Sequence, residues 1–204
     1  MSRTQLETFV EKLCGVFWSL EGREIVSAAG VEMALRDDDD GRPLFESDDV
    51  PCVQMLVLYL TFAKGPILKV VTHAEWGTWG LWPSASDEDW EQDQWDGIYR
   101  WRQVTEVTLG VVTKVQVCLS EQGLVEAVLV SLGQRQFVLV AGEVYEEQGG
   151  LELVRGDESV TGVSQRAVDF SSQMEKDTAV VVWLSASPSR ESRDFRASSS
   201  IPGR

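Results

Sequence analysis

The segment from Trp76 to Trp101 carries the side chains of this sequence best suited to recognition chemistry. It holds six of the eight tryptophans, and acidic residues alternate with the rings. Tryptophan is enriched at the energetic centres of protein interfaces, and carboxylates select cationic partners and speed their association. Acids cannot follow the rings into a core unpaired. The segment therefore predicts a partner-binding surface made of Trp76, Trp79, Trp82, Asp87, Glu88, Asp89, Trp90, Glu91, Asp93, Trp95 and Asp96.

The same segment also allows a structural interpretation. In this second interpretation Trp76, Trp79 and Trp82 lie on a strand and cover the sheet, while the acids that follow begin a solvated helix. Aromatic clusters serve packing as well as binding, because the rings bury a large apolar area in either role. The sequence leaves both interpretations open.

Catalytic chemistry has little support in the residue pattern. His73 is the single histidine, and the chain contains no nucleophile-elbow, zinc-protease or phosphate-loop motif. Cys14, Cys52 and Cys118 are far apart in apolar surroundings, which is typical of free thiols in a reducing compartment. The acids that begin at Asp87 fail the calcium-loop pattern, which requires a glycine at the sixth position. We therefore expect a protein that is not an enzyme and has no cofactor or metal site.

Two further acidic patches contain turn glycines. Residues 37–49 hold seven acids against Arg42, and residues 143–158 hold six acids against Arg155. Both patches are expected at loop ends, where carboxylates stay solvated. If they share a face with the tryptophan segment, the three regions form one negative surface suited to a basic protein. The acids are Asp37, Asp38, Asp39, Asp40, Glu46, Asp48 and Asp49 in the first patch, and Glu143, Glu146, Glu147, Glu152, Asp157 and Glu158 in the second.

The overall charge favours a cationic partner. With 18 Lys and Arg against 33 Asp and Glu, the formal net charge is −15. A field of this sign speeds encounters with basic proteins and repels phosphate backbones and anionic membranes. The sequence shows no apolar run long enough to span a membrane and no secretory leader. We expect a cytoplasmic protein with a basic protein partner, no direct nucleic-acid binding and no membrane binding, and the oligomeric state stays open.

The hydrophobic periodicity predicts the elements that must position these side chains. Apolar residues recur at three- and four-residue steps over residues 4–20, which predicts an N-terminal amphipathic helix. Short segments rich in Val and Leu, which predict strands, follow at 53–63, 67–72, 104–119, 124–132 and 137–144, separated by glycine-containing turns. The pattern predicts a mostly β (α+β) fold, an antiparallel meander, sandwich or barrel-like sheet with the N-terminal helix. Turns are expected at 37–43, 64–66, 121–123 and 133–135, a helix at 164–176 and a final strand at 178–184.

The domain organisation follows from composition. Residues 1–184 are predicted to form a single globular domain, and residues 185–204, rich in Ser and Arg, a flexible tail that cannot bury a core. A shift of 70 residues aligns the apolar positions of 60–70 with those of 130–140. This similarity indicates two pseudo-repeated halves, 20–90 and 91–160, or a chance match between strands of similar composition.

Together these features favour an acidic, non-catalytic protein-binding module. The more specific hypothesis is an inhibitor or immunity-like protein that blocks a basic enzyme acting on nucleic acid, such as a nuclease-type toxin. Such an enzyme exposes a cationic cleft that a compact anionic protein can occupy. Two alternatives stay open: an accessory or scaffold subunit of a larger bacterial complex, and a tryptophan-lined β domain that binds carbohydrate or another small ligand.

Overall fold

A computed structural model of the chain describes residues 3–46, 52–75, 77–86, 97–147, 150–163 and 183–185. The described residues form one helix and thirteen strands, which agrees with the predicted balance of elements. Their bounds are α1 (Arg3–Trp18), β1 (Glu24–Met33), β2 (Arg36–Asp37), β3 (Pro43–Leu44), β4 (Cys52–Phe62), β5 (Ile67–Glu75), β6 (Thr78–Ser86), β7 (Tyr99–Gln103), β8 (Gly110–Val111), β9 (Lys114–Leu119), β10 (Val125–Leu132), β11 (Arg135–Glu147), β12 (Gly150–Val163) and β13 (Trp183–Ser185).

Eleven of the described strands form one curled antiparallel sheet, a half-barrel, and β2 and β3 pair separately. The sheet follows the order β13-β9-β10-β11-β12-β4-β1-β7. Strand β4 pairs with β1 along one edge, whereas β12 and β5 pair with successive stretches of its other edge. Strand β6 continues from β5, and β8 adds a short pairing to β1. The predicted mostly β fold with an N-terminal helix is confirmed.

Helix α1 packs on the sheet through the apolar stripe that predicts it. Leu13 and Phe17 are buried in the same cluster as the inward-facing residues of the strands, and this burial supplies the main stabilisation. The Phe9 ring lies 4.8 Å from the Trp82 ring on β6. After the helix, the Glu21 carboxylate accepts a hydrogen bond from the backbone N–H of a β9 residue at 2.8 Å. No helix in the described part of the chain is long and apolar enough to cross a membrane.

Several predicted turns connect paired strands, and one predicted strand region is interrupted. The turns at 38–42, 63–66 and 133–134 join β2 to β3, β4 to β5 and β10 to β11. Between residues 104 and 113 the only described strand is the two-residue β8. The buried residues there are Val104, Val107 and Val112, and these odd spacings do not fit the period of two that a strand requires.

The expected loop position of the patch at 143–158 is wrong. Strand β11 continues to Glu147 and β12 begins at Gly150, so most of the patch lies in two paired strands. The physical reason is alternation: Val144 is buried between Glu143 and Tyr145, which are not. Carboxylates stay solvated on the outward side of a strand as well as in a loop.

Some predictions fall on residues that the structure does not describe. The helix at 164–176 and the tail beyond residue 185 lie outside the described residues, and β13 covers only the end of the strand predicted at 178–184. The two hairpins aligned by the 70-residue shift have turns of four and two residues. The single domain and its possible halves stay predictions.

Candidate functional site

An acidic face forms at the end of the β11–β12 hairpin. Glu143 is paired with Val154 and Tyr145 with Glu152, and directly opposed residues of antiparallel strands share one side. Tyr145 and Val154 are 39% and 41% exposed, unusually open for side chains of this size. We use "acidic face" for the surface of Glu143, Tyr145, Glu152, Asp157 and Glu158.

Arg155, the basic residue of this patch, lies on the other side of the hairpin. It is opposite Gly142, one position before Glu143, and successive strand residues point to opposite sides. The Arg155 Nη1 atom is 3.5 Å from Glu126 Oε1, and these side chains are only 22% and 16% exposed. Arg155 therefore pairs with Glu126 on β10, from the side of the hairpin opposite to Glu143.

A bulge in β12 adds two carboxylates to the acidic face. The pairing register with β11 shifts there by four residues, which leaves four residues of β12 without a partner on β11. Gly156 begins the bulge with φ of 69°, the left-handed region that favours glycine. The Tyr145 hydroxyl donates to the Asp157 carboxylate at 3.0 Å, and the Thr72 hydroxyl donates to the Glu158 carbonyl. These bonds hold the bulge between β11 and β5.

The carboxylates of the acidic face affect one another's ionisation. Desolvation raises the pKa of Glu143, and the charges of Asp157 and Glu158 raise it further, while the Ser159 hydroxyl opposes them. Partial burial, the hydrogen bond to Asp157 and the nearby carboxylates raise the pKa of Tyr145 to about 12. A cation nearby lowers the pKa of a carboxyl group. At Glu143 desolvation is the largest cause of the raised pKa, and the two neighbouring carboxylates act in the same direction.

A groove of about 280 Å³ opens beside the bulge. Strand β6 lies against the bulge, since a Cβ atom added at Gly156 would be 3.5 Å from the methyl group of Thr78. The groove brings Trp79, one of the predicted partner-binding residues, together with Glu158 of the acidic face. The lining residues are Leu56, Val57, Lys69, Val71, Thr72, Trp79 and Glu158.

The patch at 37–49 begins next to the same hairpin. Leu35, just before the β2–β3 turn, is buried with Val144 in a small apolar cluster. The Gln54 side chain accepts a hydrogen bond from the Val144 N–H at 2.6 Å and so ties β4 to this cluster. Within the turn, Asp38 Oδ1 accepts bonds from the backbone N–H groups of Asp40 and Arg42 at 2.9 and 2.8 Å. Asp38 therefore has a structural role in its own turn.

The described tryptophans of the predicted binding segment have different surroundings. Trp79 lines the groove, Trp82 packs between the sheet and Phe9 of α1, and Trp101 on β7 lies 6.0 Å from the Tyr59 ring. Of these three tryptophans, Trp79 therefore lines a groove, whereas Trp82 and Trp101 pack against other aromatic rings of the fold. The other predicted partner-binding residues lie outside the described residues, and their role stays a prediction: Trp76, Asp87, Glu88, Asp89, Trp90, Glu91, Asp93, Trp95 and Asp96.

A buried ion network attaches β7 to β1. Glu32 on β1 is fully buried, and its carboxylate accepts from Arg100 Nε at 2.5 Å and from Arg102 Nη1 at 2.8 Å. Arg102 also pairs with Glu106 at 2.5 Å, and the Arg100 guanidinium lies 4.0 Å from the centre of the Phe45 ring. Each charge here has a partner of opposite sign, so the network supports the fold.

The three cysteines are free thiols. Burial raises the pKa of Cys14 and Cys118 to about 11 and that of Cys52 to about 12. The thiolate is the nucleophile and the metal ligand, and at neutral pH almost none is present. In the described ranges no group of three His, Cys, Asp or Glu side chains is placed to hold a metal ion. The exposed His73 ring lies 4.7 Å from Trp82.

Local sequence patterns do not identify the groove. Lys69 and Thr72 carry no motif, and they meet Glu158 of the acidic patch only because β5 lies beside the β12 bulge, far away in sequence. Two signals are present nonetheless. The alternation around Tyr145 indicates a strand, and a glycine within a strand, as at Gly156, indicates a bulge.

The comparisons with known proteins leave the functional argument to the residues themselves. The chain matches no family model, no curated protein and no solved structure.

Proposed function

We propose that this chain is a non-catalytic protein-binding module whose acidic face docks onto a basic protein. The observation that carries the proposal is the placement of Arg155 on the opposite side of the hairpin, paired with Glu126. The hairpin thereby turns Glu143 and Glu152 to one side and its arginine to the other, in a chain of net charge −15. Such a surface speeds association with basic proteins and repels acidic ones.

In the more specific form of the proposal, the chain is an inhibitor or immunity-like protein that blocks a nuclease-type toxin in the cytoplasm. A nucleic-acid enzyme must expose a cationic cleft to bind phosphates. Tyr145, exposed among carboxylates, supports this form because aromatic side chains anchor many interfaces. The neutral, buried thiols suit a reducing compartment.

The test measures association of the purified chain with a panel of basic nucleases by biolayer interferometry. Reversing three acids of the face should slow association about tenfold at low salt, and high salt should remove most of the difference. The matched control reverses three exposed acids elsewhere and changes the net charge equally. The first variant carries Glu143→Lys, Glu152→Lys and Asp157→Lys, and the control carries Glu11→Lys, Glu24→Lys and Glu121→Lys.

The possible results test the docking site, the class of partner and the inhibition of the partner separately. Slowing confined to the first variant supports docking through the acidic face. Equal slowing of both variants would show that net charge alone steers the encounter, which overturns the site. No binding to any member of the panel overturns the docking of basic nucleases. A nuclease that binds the chain and keeps its full activity overturns the inhibitor form.

A further inference from the structure

The groove beside the acidic face combines an apolar wall with one acidic residue. Leu56, Val57, Val71 and Trp79 supply the wall, and Glu158 of the β12 bulge stands among the lining residues. The volume of the groove, about 280 Å³, lies just below the range typical of pockets for drug-sized ligands. The groove therefore suits a single long side chain better than a larger molecule.

The walls of the groove are fixed by the sheet. Strands β5 and β6 are paired along their whole length, and the bulge is held by the hydrogen bonds from Thr72 to Glu158 and from Tyr145 to Asp157. Gly156 packs against Thr78 of β6. A pocket held in this way loses little conformational freedom when it is filled, which favours binding.

The charges around the groove favour a cationic occupant. Asp157 and Glu158 lie close enough to Glu143 to raise the pKa of its carboxyl group. Against these acids, the lining contains one basic residue, Lys69, whose Nζ atom lies 6.0 Å from the centre of the Tyr59 ring. The positive charge of Lys69 partly repels a cation in the groove, and a neutral substitution at Lys69 would remove this repulsion.

We propose, on the basis of the function proposed above, that the groove receives one arginine side chain of the basic partner. The methylene stem of that arginine packs on the aliphatic wall, as long cationic side chains do on apolar surface. Its guanidinium stacks on Trp79 and pairs with Glu158. Arginine suits both contacts, because its planar group stacks on aromatic faces and donates two parallel hydrogen bonds to a carboxylate.

The experiment titrates the full chain with N-acetyl-arginine methylamide and follows the indole N–H signals by NMR. Trp79→Phe identifies the Trp79 signal. We expect that signal to shift saturably with the arginine derivative, and not with the norleucine or glutamate derivatives. Glu158→Gln should weaken binding about threefold and Lys69→Met should strengthen it about twofold, the size of exposed ion pairs. The control Glu121→Gln, an exposed acid in the turn between β9 and β10 and outside both the groove lining and the acidic face, should change it less than about 1.5-fold.

The outcomes separate this inference from the proposed function. If the norleucine derivative binds equally well, or if Lys69→Met does not strengthen binding, the cation pocket is overturned. If a basic nuclease docks on the acidic face while the Trp79 signal does not respond to the arginine derivative, the pocket fails and the docking proposal stands. A response of Trp79 in a chain that binds none of the basic nucleases supports a guanidinium pocket and overturns docking.

Discussion

The carboxylate of Glu32 and the carboxylates of the acidic face have opposite electrostatic surroundings. Glu32 is fully buried between Arg100 and Arg102 and joins two strands. On the acidic face, Glu143 lies among other carboxylates, its pKa is raised, and the nearby Arg155 points away from it. A buried acid with its counter-ions serves the fold, whereas acids gathered on one face repel one another and lower stability, and binding of a cationic partner would offset that cost.

The largest effect should come from breaking the buried network. Glu32→Gln removes the charge that compensates Arg100 and Arg102, and we expect the free energy of unfolding to fall by about 3 kcal/mol. This expected loss lies at the low end of the range for breaking a buried ion pair, because the Arg100 side chain is 40% exposed and can be hydrated. Urea unfolding followed by circular dichroism measures the change.

The matched control for this prediction is Glu46→Gln. Glu46 also faces Arg100, at 3.5 Å, but its side chain is 80% exposed. An exposed pair contributes little, so the variant should unfold within about 0.5 kcal/mol of the wild type. A loss as large as that of Glu32→Gln would show that burial is not what separates the two acids.

A smaller effect of opposite sign is expected at Glu143. Glu143→Gln removes a carboxylate whose pKa is raised first by desolvation and then by the charges of Asp157 and Glu158. We expect it to raise the free energy of unfolding by about 0.5 kcal/mol at pH 7 and low salt, after allowance for solvent screening. Thermal unfolding at several salt concentrations measures this gain, and the part that comes from the neighbouring charges should shrink as salt rises. A destabilised variant would contradict the cost of ionisation inferred from the raised pKa of Glu143.

The pH dependence of this gain follows from the direction of the shift. Because the pKa of Glu143 is higher in the folded state, the folded chain binds more protons than the unfolded chain between the two pKa values. Its ionisation therefore costs nothing below the ordinary pKa of glutamate, and the cost grows as pH rises through the folded pKa. The difference between Glu143→Gln and wild type should be near zero at acidic pH and fullest at neutral pH.

The sequence predicts the fold better than the site because the fold leaves local signals. The apolar stripe of α1 and the turns around Gly65 and Gly133 are visible in short windows, and the structure has them. Two features are harder to predict from short windows: the irregular backbone of residues 104–113 and the location of the patch at 143–158 in two strands. Val104 is buried through contacts distant in sequence, and Tyr145 lies on a strand with acidic neighbours.

The candidate site could be predicted only in part. Composition singles out the tryptophan segment and the acidic patches, and the structure brings Trp79 next to Glu158. That contact depends on the bulge at Gly156 meeting β6, a long-range packing event. The separation of Arg155 from the acidic face depends on pairing register, since a one-residue slip would move it to the side of Glu143.

The smallest predicted effect concerns the hydrogen bond from Tyr145 to Asp157. Tyr145→Phe removes it, and because the ring is 39% exposed we expect a loss of about 0.3 kcal/mol. The raised pKa of Tyr145 adds a sharper test: the folded state keeps its proton to about 12. The stability that this proton brings is complete below the ordinary tyrosine pKa and disappears as pH rises through 12.

Ultraviolet titration of the phenol groups follows the ionisation of Tyr145. In the folded wild type the titration should contain a transition at about pH 12 that belongs to this residue. That late transition should be absent from Tyr145→Phe and should move toward the ordinary value in Asp157→Asn, which removes the acceptor charge. Glu46→Gln, which lies in the other region of the comparison, should leave it unchanged. If the transition is already ordinary in the wild type, the negative field of the acidic face is weaker than its geometry indicates.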